Sequence, residues 1–335
     1  MKEILKKLIR KEELNENDAE EIINGIEQNN YSPIQMSGIL CLMEAKKITP
    51  KELTMLTEKL IQKAQTIKLG EECIDICGTG GDEKKTFNVS TATMILAASA
   101  GAKIAKHGNK AVSSNSGSYD VLEALGINME NATSKPKETF EKTGIAFLFA
   151  PNHHPIFKNI APVRKELGIK TIFNLMGPLL NPAGAKKQLM GVFNPEITET
   201  IAETMKMRGI KKAMIVNGDG LDEITITGKT KITELNNEKI NTYYFDPKEY
   251  GFEYAKIEEI QAKTKEESAE IILNILKGKK SPQRNIVVLN SAAALIIAGK
   301  AKDFKEGITL AEKSIDSGKA LEKLEELKKI TQSQN

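Results

Sequence analysis

The stretch Cys77–Ser118, CGTGGDEKKTFNVSTATMILAASAGAKIAKHGNKAVSSNSGS, decides how the rest of the chain reads. Ile74 and Ile76 flank Asp75 in a short strand-like approach to it. Gly78-Thr79-Gly80-Gly81-Asp82 then places three glycines in four positions, and such a backbone can curl until successive N–H groups face one concavity, a nest for an anion. After Asn88, an apolar helix is expected from about Ala92 to Ala100, stopped by Gly101, with Ser90 or Thr91 as its N-cap. That puts the positive end of a helix beside the glycine turn. A short strand, Lys103 to Ala105, leads into Lys106-His107-Gly108-Asn109, and a serine run ends at Ser118, where another helix begins. Glycines, helix N-termini, a lysine and hydroxyls together describe a polyphosphate site.

Two common phosphate loops do not fit. The dinucleotide fingerprint needs glycine at the position of Glu83, and a Walker loop ending at Gly228-Lys229-Thr230 needs glycine at the position of Glu223. Alone, the glycine cluster reads as a tight turn; with Lys106, Asn109 and the serines close behind it, the ligand reading is favoured.

From about residue 70 strands alternate with helices, the mark of an α/β sheet. The expected strands are Cys73–Ile76, Lys103–Lys106, Ile145–Phe149, Gln188–Phe193, Ala213–Val216 and Ile286–Leu289. Between Asp222 and Phe245, the runs ITIT, KITEL and NTYYF read as antiparallel, hairpin-like additions. Residues 1 to about 67 read as four helices, with capping boxes at Ser32-Pro33-Ile34-Gln35 and Thr49-Pro50-Lys51-Glu52. Residues 152 to 183, rich in Pro and Asn, break the alternation and are expected to return to that helical module. The fold class is therefore α/β with a small all-α N-terminal domain and a mixed, mostly parallel central sheet flanked by helices. The domains are 1–68, joined by a returning segment at about 162–183, and 69–161 with 184–335.

Composition excludes several functions. With 335 residues, 40% hydrophobic and 28% charged, the chain can bury a large core. A net charge of +3, with lysines scattered among acids, offers no nucleic-acid stripe. Cys41, Cys73 and Cys77 lack metal-ligand spacing, which suits a reduced, cytoplasmic compartment, and nothing approaches a membrane span. No G-x-S-x-G motif supports nucleophilic hydrolysis.

Two further clusters carry chemistry. Asn217-Gly218-Asp219-Gly220-Leu221-Asp222-Glu223 follows an apolar strand, and its adjacent carboxylates suit Mg²⁺ beside a phosphate nest, although alone they read as a solvated turn. Ala150-Pro151-Asn152-His153-His154-Pro155 and Ala161-Pro162-Val163-Arg164 supply two of three histidines and one of four arginines. Arg164 offers a planar fork for a carboxylate, and His107 and His154 offer contacts to a flat ligand. The plainer reading of that cluster is a set of ties between loops.

The series GTGGD, TFNVST, KHGN with SSNSGS, FLFAPNHHP, APVRKELGIKTIFNLMGPLLNPA, NGDGLDE and LNSAAAL resembles the anthranilate phosphoribosyltransferase family over effectively the whole chain. The resemblance implies transfer of a 5-phosphoribosyl group from phosphoribosyl pyrophosphate to the amine of anthranilate, with Mg²⁺, and a homodimer formed through the helical domain. It implies no nucleic-acid or membrane partner. Carried over, Gly78, Thr79, Gly80, Gly81 and Asp82 hold pyrophosphate, with Thr86 beside them. Asn88, Ser90, Thr91, Lys106 and Ser118 hold the phosphoribosyl and pyrophosphate groups, and Ser90, Asp222 and Glu223 bind magnesium. His107, Asn109, His154, Arg164, Gly177 and Pro178 line the anthranilate path, with Arg164, His107 and Asn109 the expected catalytic set. Glu83-Lys84-Lys85, Lys110 and Tyr119 depart from the family pattern. The competing readings are a pyrimidine nucleoside phosphorylase and a non-catalytic nucleic-acid-binding relative.

Overall fold

The computed structural model describes residues 1–80, 84–110 and 117–332. Helices Lys2–Ile9, Glu16–Glu27, Pro33–Lys46 and Pro50–Gln62 open the chain. Both anticipated capping boxes form: Ser32 Oγ accepts from Gln35 N and Thr49 Oγ1 from Glu52 N, with the reciprocal bonds also made. Helices Phe157–Leu167 and Ile172–Met176 return to this module and bury Ile160, Val163 and Phe173 against Ile22, Ile39 and Met43.

Among the described residues seven strands follow, in the order β1 (Asp75–Gly78), β2 (Ile104–Gly108), β3 (Ile145–Phe149), β4 (Lys187–Gly191), β5 (Lys212–Gly218), β6 (Thr230–Asn236) and β7 (Lys239–Phe245). β1, β4 and β5 pair in parallel, and β6 and β7 extend that sheet antiparallel, giving β1-β4-β5-β6-β7. The parallel pair β2-β3 joins the other edge through one bridge, Ile74 to Ile104. β1 leads to β2 on one side, whereas β4 leads to β5 on the other, so the order reverses between β1 and β4. That reversal opens a crevice at the carboxyl ends of the strands, where α/β sheets place ligands.

Alternation along the strands feeds two cores. Met190, Ala213, Ile215 and Leu235 face the helical module, together with Ile201 and Met205. Leu189, Met214, Val216 and Ile232 face helices Val89–Ser99 and Pro282–Ala298. A sheet covered on both faces explains the near-continuous apolar runs of β4 and β5.

Three expectations change. Ile286–Leu289 is not a strand but the middle of helix Pro282–Ala298, which is buried all round. Ser281 caps that helix, Pro282 opens it and Gly299 closes it at φ 76°, and these end signals outweigh the β-branched run. The ITIT run, Ile224 to Thr227, forms no strand; Thr225 N donates to Thr230 Oγ1 and Thr227 N to Thr225 Oγ1, so threonine hydroxyls replace a ladder. Finally, the helix after the glycine turn starts earlier, at Val89, and its cap is Asn88, whose Oδ1 accepts from Thr91 N at 3.0 Å. Ser90 and Thr91 therefore lie in its first turn.

Candidate active site

The glycine turn leaves the end of β1 beside the end of β4. Thr79 N donates to Gly191 O at 3.0 Å, and Phe193 N donates to Thr79 Oγ1 at 3.1 Å, so Thr79 is held at both its main chain and its hydroxyl. Gly80 N donates to Asp222 Oδ2 at 2.8 Å, which joins the turn to the acidic loop beyond β5. That loop doubles back because Asp219 (φ 54°) and Gly220 (φ 84°) make a two-residue reversal, closed by bonds between Gly218 and Leu221. Its approach requires glycine on the neighbouring strands. A Cβ at Gly191 would lie 1.6 Å from Asp222 O, and one at Gly78 would lie 2.3 Å from Asp222 Oδ2.

Ser90 enters from the first turn of the capped helix. Lys106, on β2 and 5% exposed, donates to Ile76 O at 2.8 Å and to Ser90 Oγ at 3.2 Å. Burial pushes the Lys106 ammonium down, while Asp75, Cys77, Glu223 and Asp222 oppose that shift. The oxygens of Ser90, Asp222 and Glu223 are hard donors, the kind that suits Mg²⁺. No group of three His, Cys, Asp or Glu side chains among the described residues forms a closed metal cage. Mg²⁺ is ordinarily held by one or two carboxylates together with waters and substrate phosphates, so this donor set fits.

Ser118 begins helix Ser118–Ala124, and its Oγ lies 2.9 Å from where a side chain at Gly108 would start, so β2 and this helix meet closely. Asn109 is exposed, and its Oδ1 accepts from Lys110 N. Thr86 is bridged to Gln261 at the outer end of the loop. Thr91 is fully buried and its Oγ1 has no partner. Gly81 and Asp82 lie outside the described residues, as does Glu83; of the other departures, Lys110 lies 4.5 Å over the Tyr119 ring.

The second cluster assembles around the turn Gly177–Leu180. Three successive carbonyls there accept from side chains: Pro178 O from Gln188 Nε2 at 2.7 Å, Leu179 O from Arg208 Nη1, and Leu180 O from His154 Nε2 at 2.8 Å. A Cβ built at Gly177 would meet nothing within 4 Å, so this residue borders open space. His154 and His107 stand edge to face with ring centroids 5.2 Å apart. Burial depresses both imidazoles, His107 to about 3 and His154 to about 4, so both are neutral near pH 7. The half-buried Arg164 donates to Asn174 Oδ1 at 3.2 Å and lies 5.9 Å over the Phe173 ring. Among the described residues no carboxylate pairs with it.

Sequence reasoning assigned no role to Asp75, Asn181, Gln188 or Arg208, all of which hold main chain at this site. Asp75 carried a signal, an acid between two isoleucines in a strand. Gln188 and Arg208 carried none, because their targets are distant in sequence.

A mostly parallel sheet with its reversal at β1/β4, a glycine turn and an acid pair describes a site suited to a phosphorylated ligand. The sequence model of the glycosyl transferase family's a/b domain matches residues 70–321, and that of its helical bundle domain matches residues 2–64. An anthranilate phosphoribosyltransferase of Thermoanaerobacter sp. is 48% identical, with 98% of this chain and 97% of that protein covered. One of Acetivibrio thermocellus is 45% identical, over 99% and 97%. The crystal structure of anthranilate phosphoribosyltransferase from Thermus thermophilus superposes with a TM-score of 0.92 at 36% identity, covering 98% of this chain and 99% of that one. The Saccharomyces cerevisiae enzyme in complex with PRPP and Mg gives 0.88 at 29% identity, over 99% and 97%. The chain belongs to the anthranilate phosphoribosyltransferase family.

Proposed function

We propose that this site transfers the 5-phosphoribosyl group from phosphoribosyl pyrophosphate to the amine of anthranilate, releasing pyrophosphate. The observation that carries the acceptor assignment is Arg164, a half-buried guanidinium that no protein carboxylate among the described residues neutralises. Such a cation favours an anionic ligand, and its planar fork matches the carboxylate of anthranilate. The open space beside Gly177 leaves room for a flat ring, and the neutral His107/His154 pair offers ring faces and polar edges to it.

An aromatic amine is uncharged at neutral pH, so it attacks without prior deprotonation. The N–C1 bond forms as the bond from C1 to the pyrophosphate oxygen breaks, and the electron pair leaves with pyrophosphate. The proton departs from the N-substituted anilinium afterwards, to solvent or to the departing pyrophosphate. His107, depressed to about 3, serves as an orienting contact and not as a base, and Asn109 borders the same path. Catalysis rests chiefly on orientation, together with N–H groups aimed at the leaving group. Gly78 to Asp82 with Thr86, Asn88, Ser90, Thr91, Lys106 and Ser118 form the donor-substrate site; His154, Arg164, Gly177 and Pro178 form the acceptor site. Ser90, Asp222 and Glu223 would hold Mg²⁺, which when bound would offset charge on the pyrophosphate. The Saccharomyces cerevisiae relative in complex with PRPP and Mg supports the use of that ion.

The shared core of the N-terminal and returning helices supports a helical unit of residues 1–68 with about 162–183, beside an α/β unit of 69–161 and 184–335. Exposed Ile34 (84%), with exposed Cys41 and Ala45 following at helical spacing on helix Pro33–Lys46, supports a homodimer built through that unit. Three free cysteines support a cytoplasmic location. Among the described residues no helix is long and apolar enough to cross a membrane. Loss of anthranilate fluorescence on mixing protein, phosphoribosyl pyrophosphate and Mg²⁺ tests the reaction. Undiminished fluorescence with bound phosphoribosyl pyrophosphate would sink the acceptor assignment.

A further inference from the structure

β1 and β2 pair briefly and then part. Ile74 N donates to Lys103 O and Ala105 N to Ile74 O, each at 2.9 Å, and the next rung, at Ile76 and Lys106, is not formed. Side chains take over there. Asn181 Nδ2 donates to Ala105 O at 2.8 Å, Lys106 Nζ to Ile76 O at 2.8 Å, and His107 N to Asp75 Oδ1 at 3.3 Å. Asp75 has no solvent exposure, and its Oδ2 makes no well-formed hydrogen bond, although Asn181 and Cys77 face the carboxyl group.

Lys106 is a buried ammonium whose two bonded partners, Ile76 O and Ser90 Oγ, are neutral. A buried charge needs an opposite one nearby. Asp75 comes first among the acids that favour the charged lysine, ahead of Glu223 and Asp222. The same carboxylate grips the N–H of His107, the next residue on the strand. One side chain thus holds the path of the Lys106-His107 segment where the rung is missing.

We propose that Asp75 is a positioning residue for the donor substrate: by fixing the parted end of β2 through the His107 N–H, it holds Lys106 beside Ser90. This rests on the phosphoribosyl-transfer reading given above. Asp75 itself touches no substrate; it acts through Lys106.

The test is a double-mutant cycle with Asp75→Asn and Lys106→Met, scored by kcat/KM for phosphoribosyl pyrophosphate. Asp75→Asn is expected to lower that value about tenfold or more, the range for a lost charge-assisted contact, with KM for anthranilate unchanged. In the Lys106→Met background the same substitution should cost less than about twofold. Equal losses in both backgrounds, tracking a lowered Tm, would overturn the proposal, as would unchanged donor kinetics. Should Asp75→Asn fail to fold, carboxyl ¹³C NMR of the wild type and Lys106→Met decides the point. Asp75, which burial raises to about 6, should titrate higher once Lys106 is removed, and identical titrations overturn the coupling. If the wild type consumes no anthranilate, the functional reading has failed, and the NMR comparison still judges the Asp75–Lys106 link.

Discussion

At the scale of single residues, burial sets the chemistry. Arg164 has a neutral partner in Asn174 and an aromatic face in Phe173, so its charge is available to a ligand. Replacing it with alanine should raise KM for anthranilate about tenfold to a hundredfold, the worth of a charge-assisted contact, and leave KM for phosphoribosyl pyrophosphate near the wild-type value. Lysine should rescue poorly, since it lacks the fork; fluorescence kinetics with each substrate varied checks both. The histidines govern response to acid. His154 falls from 6.5 to about 4 in the fold, chiefly through burial, so the unfolded chain takes up a proton that the native state refuses. Its contribution is complete above pH 6.5 and is lost as pH falls towards 4. His107 acts in the same sense, whereas Asp75, raised to about 6, acts in the opposite one and offsets part of the loss. His154→Gln should therefore flatten the decline in stability between pH 6.5 and 4.5 by up to about 1.4 kcal/mol per pH unit. Urea unfolding across that range measures it, and an unchanged slope would refute the assignment.

At the scale of elements, the site is made by close approaches between loops that follow different strands. The Asp222 main chain lies where any side chain at 191 would stand, so Gly191→Ala must push the acidic loop away from the glycine turn. A displacement of about 1 Å at such a site costs roughly 10²-fold in rate. We expect that loss in kcat/KM for phosphoribosyl pyrophosphate, with a higher Mg²⁺ requirement. Gly184→Ala is the control for local damage: its Cβ would meet nothing within 4 Å, although its φ of 64° makes alanine strained there as well. If both variants lose only stability and neither changes its Mg²⁺ requirement, the loop contact does not serve the donor site. The turn Gly177–Leu180 follows the same logic, since Gln188, Arg208 and His154 reach it from three separate parts of the chain.

At the scale of the molecule, the helical module covers one face of the sheet and leaves its own outer face exposed. Ile34 starts helix Pro33–Lys46, and exposed Cys41 and Ala45 follow it at helical spacing. Helices that are apolar on more than one face usually bury both, and here the second face is available to another copy of the chain. If the proposed homodimer forms through this face, Ile34→Glu should shift the protein from dimer to monomer in analytical ultracentrifugation while helix content stays constant. A wild type already monomeric at micromolar concentration would refute the dimer.

What the sequence determined by itself were the features written in local chemistry. The capping boxes at Ser32 and Thr49, the hairpin of β6 and β7, and the alternation behind the parallel strands depend on neighbours a few residues apart. The motifs from Gly78 to Lys106 and at Asp222-Glu223, proposed above as the phosphate and cation sites, stood out because such sites need particular residue types in short order. Tertiary structure decided the rest. Ile286–Leu289 reads equally as strand or helix until burial on every side is known, and the Asn88 cap becomes visible only when the helix start is fixed. Nothing in local spacing reveals that Asp75 replaces a missing rung between β1 and β2, or that Gly191 yields its side-chain space to Asp222. Those assignments depend on which strands lie side by side, and that is settled by packing of the whole chain, not by any stretch of it.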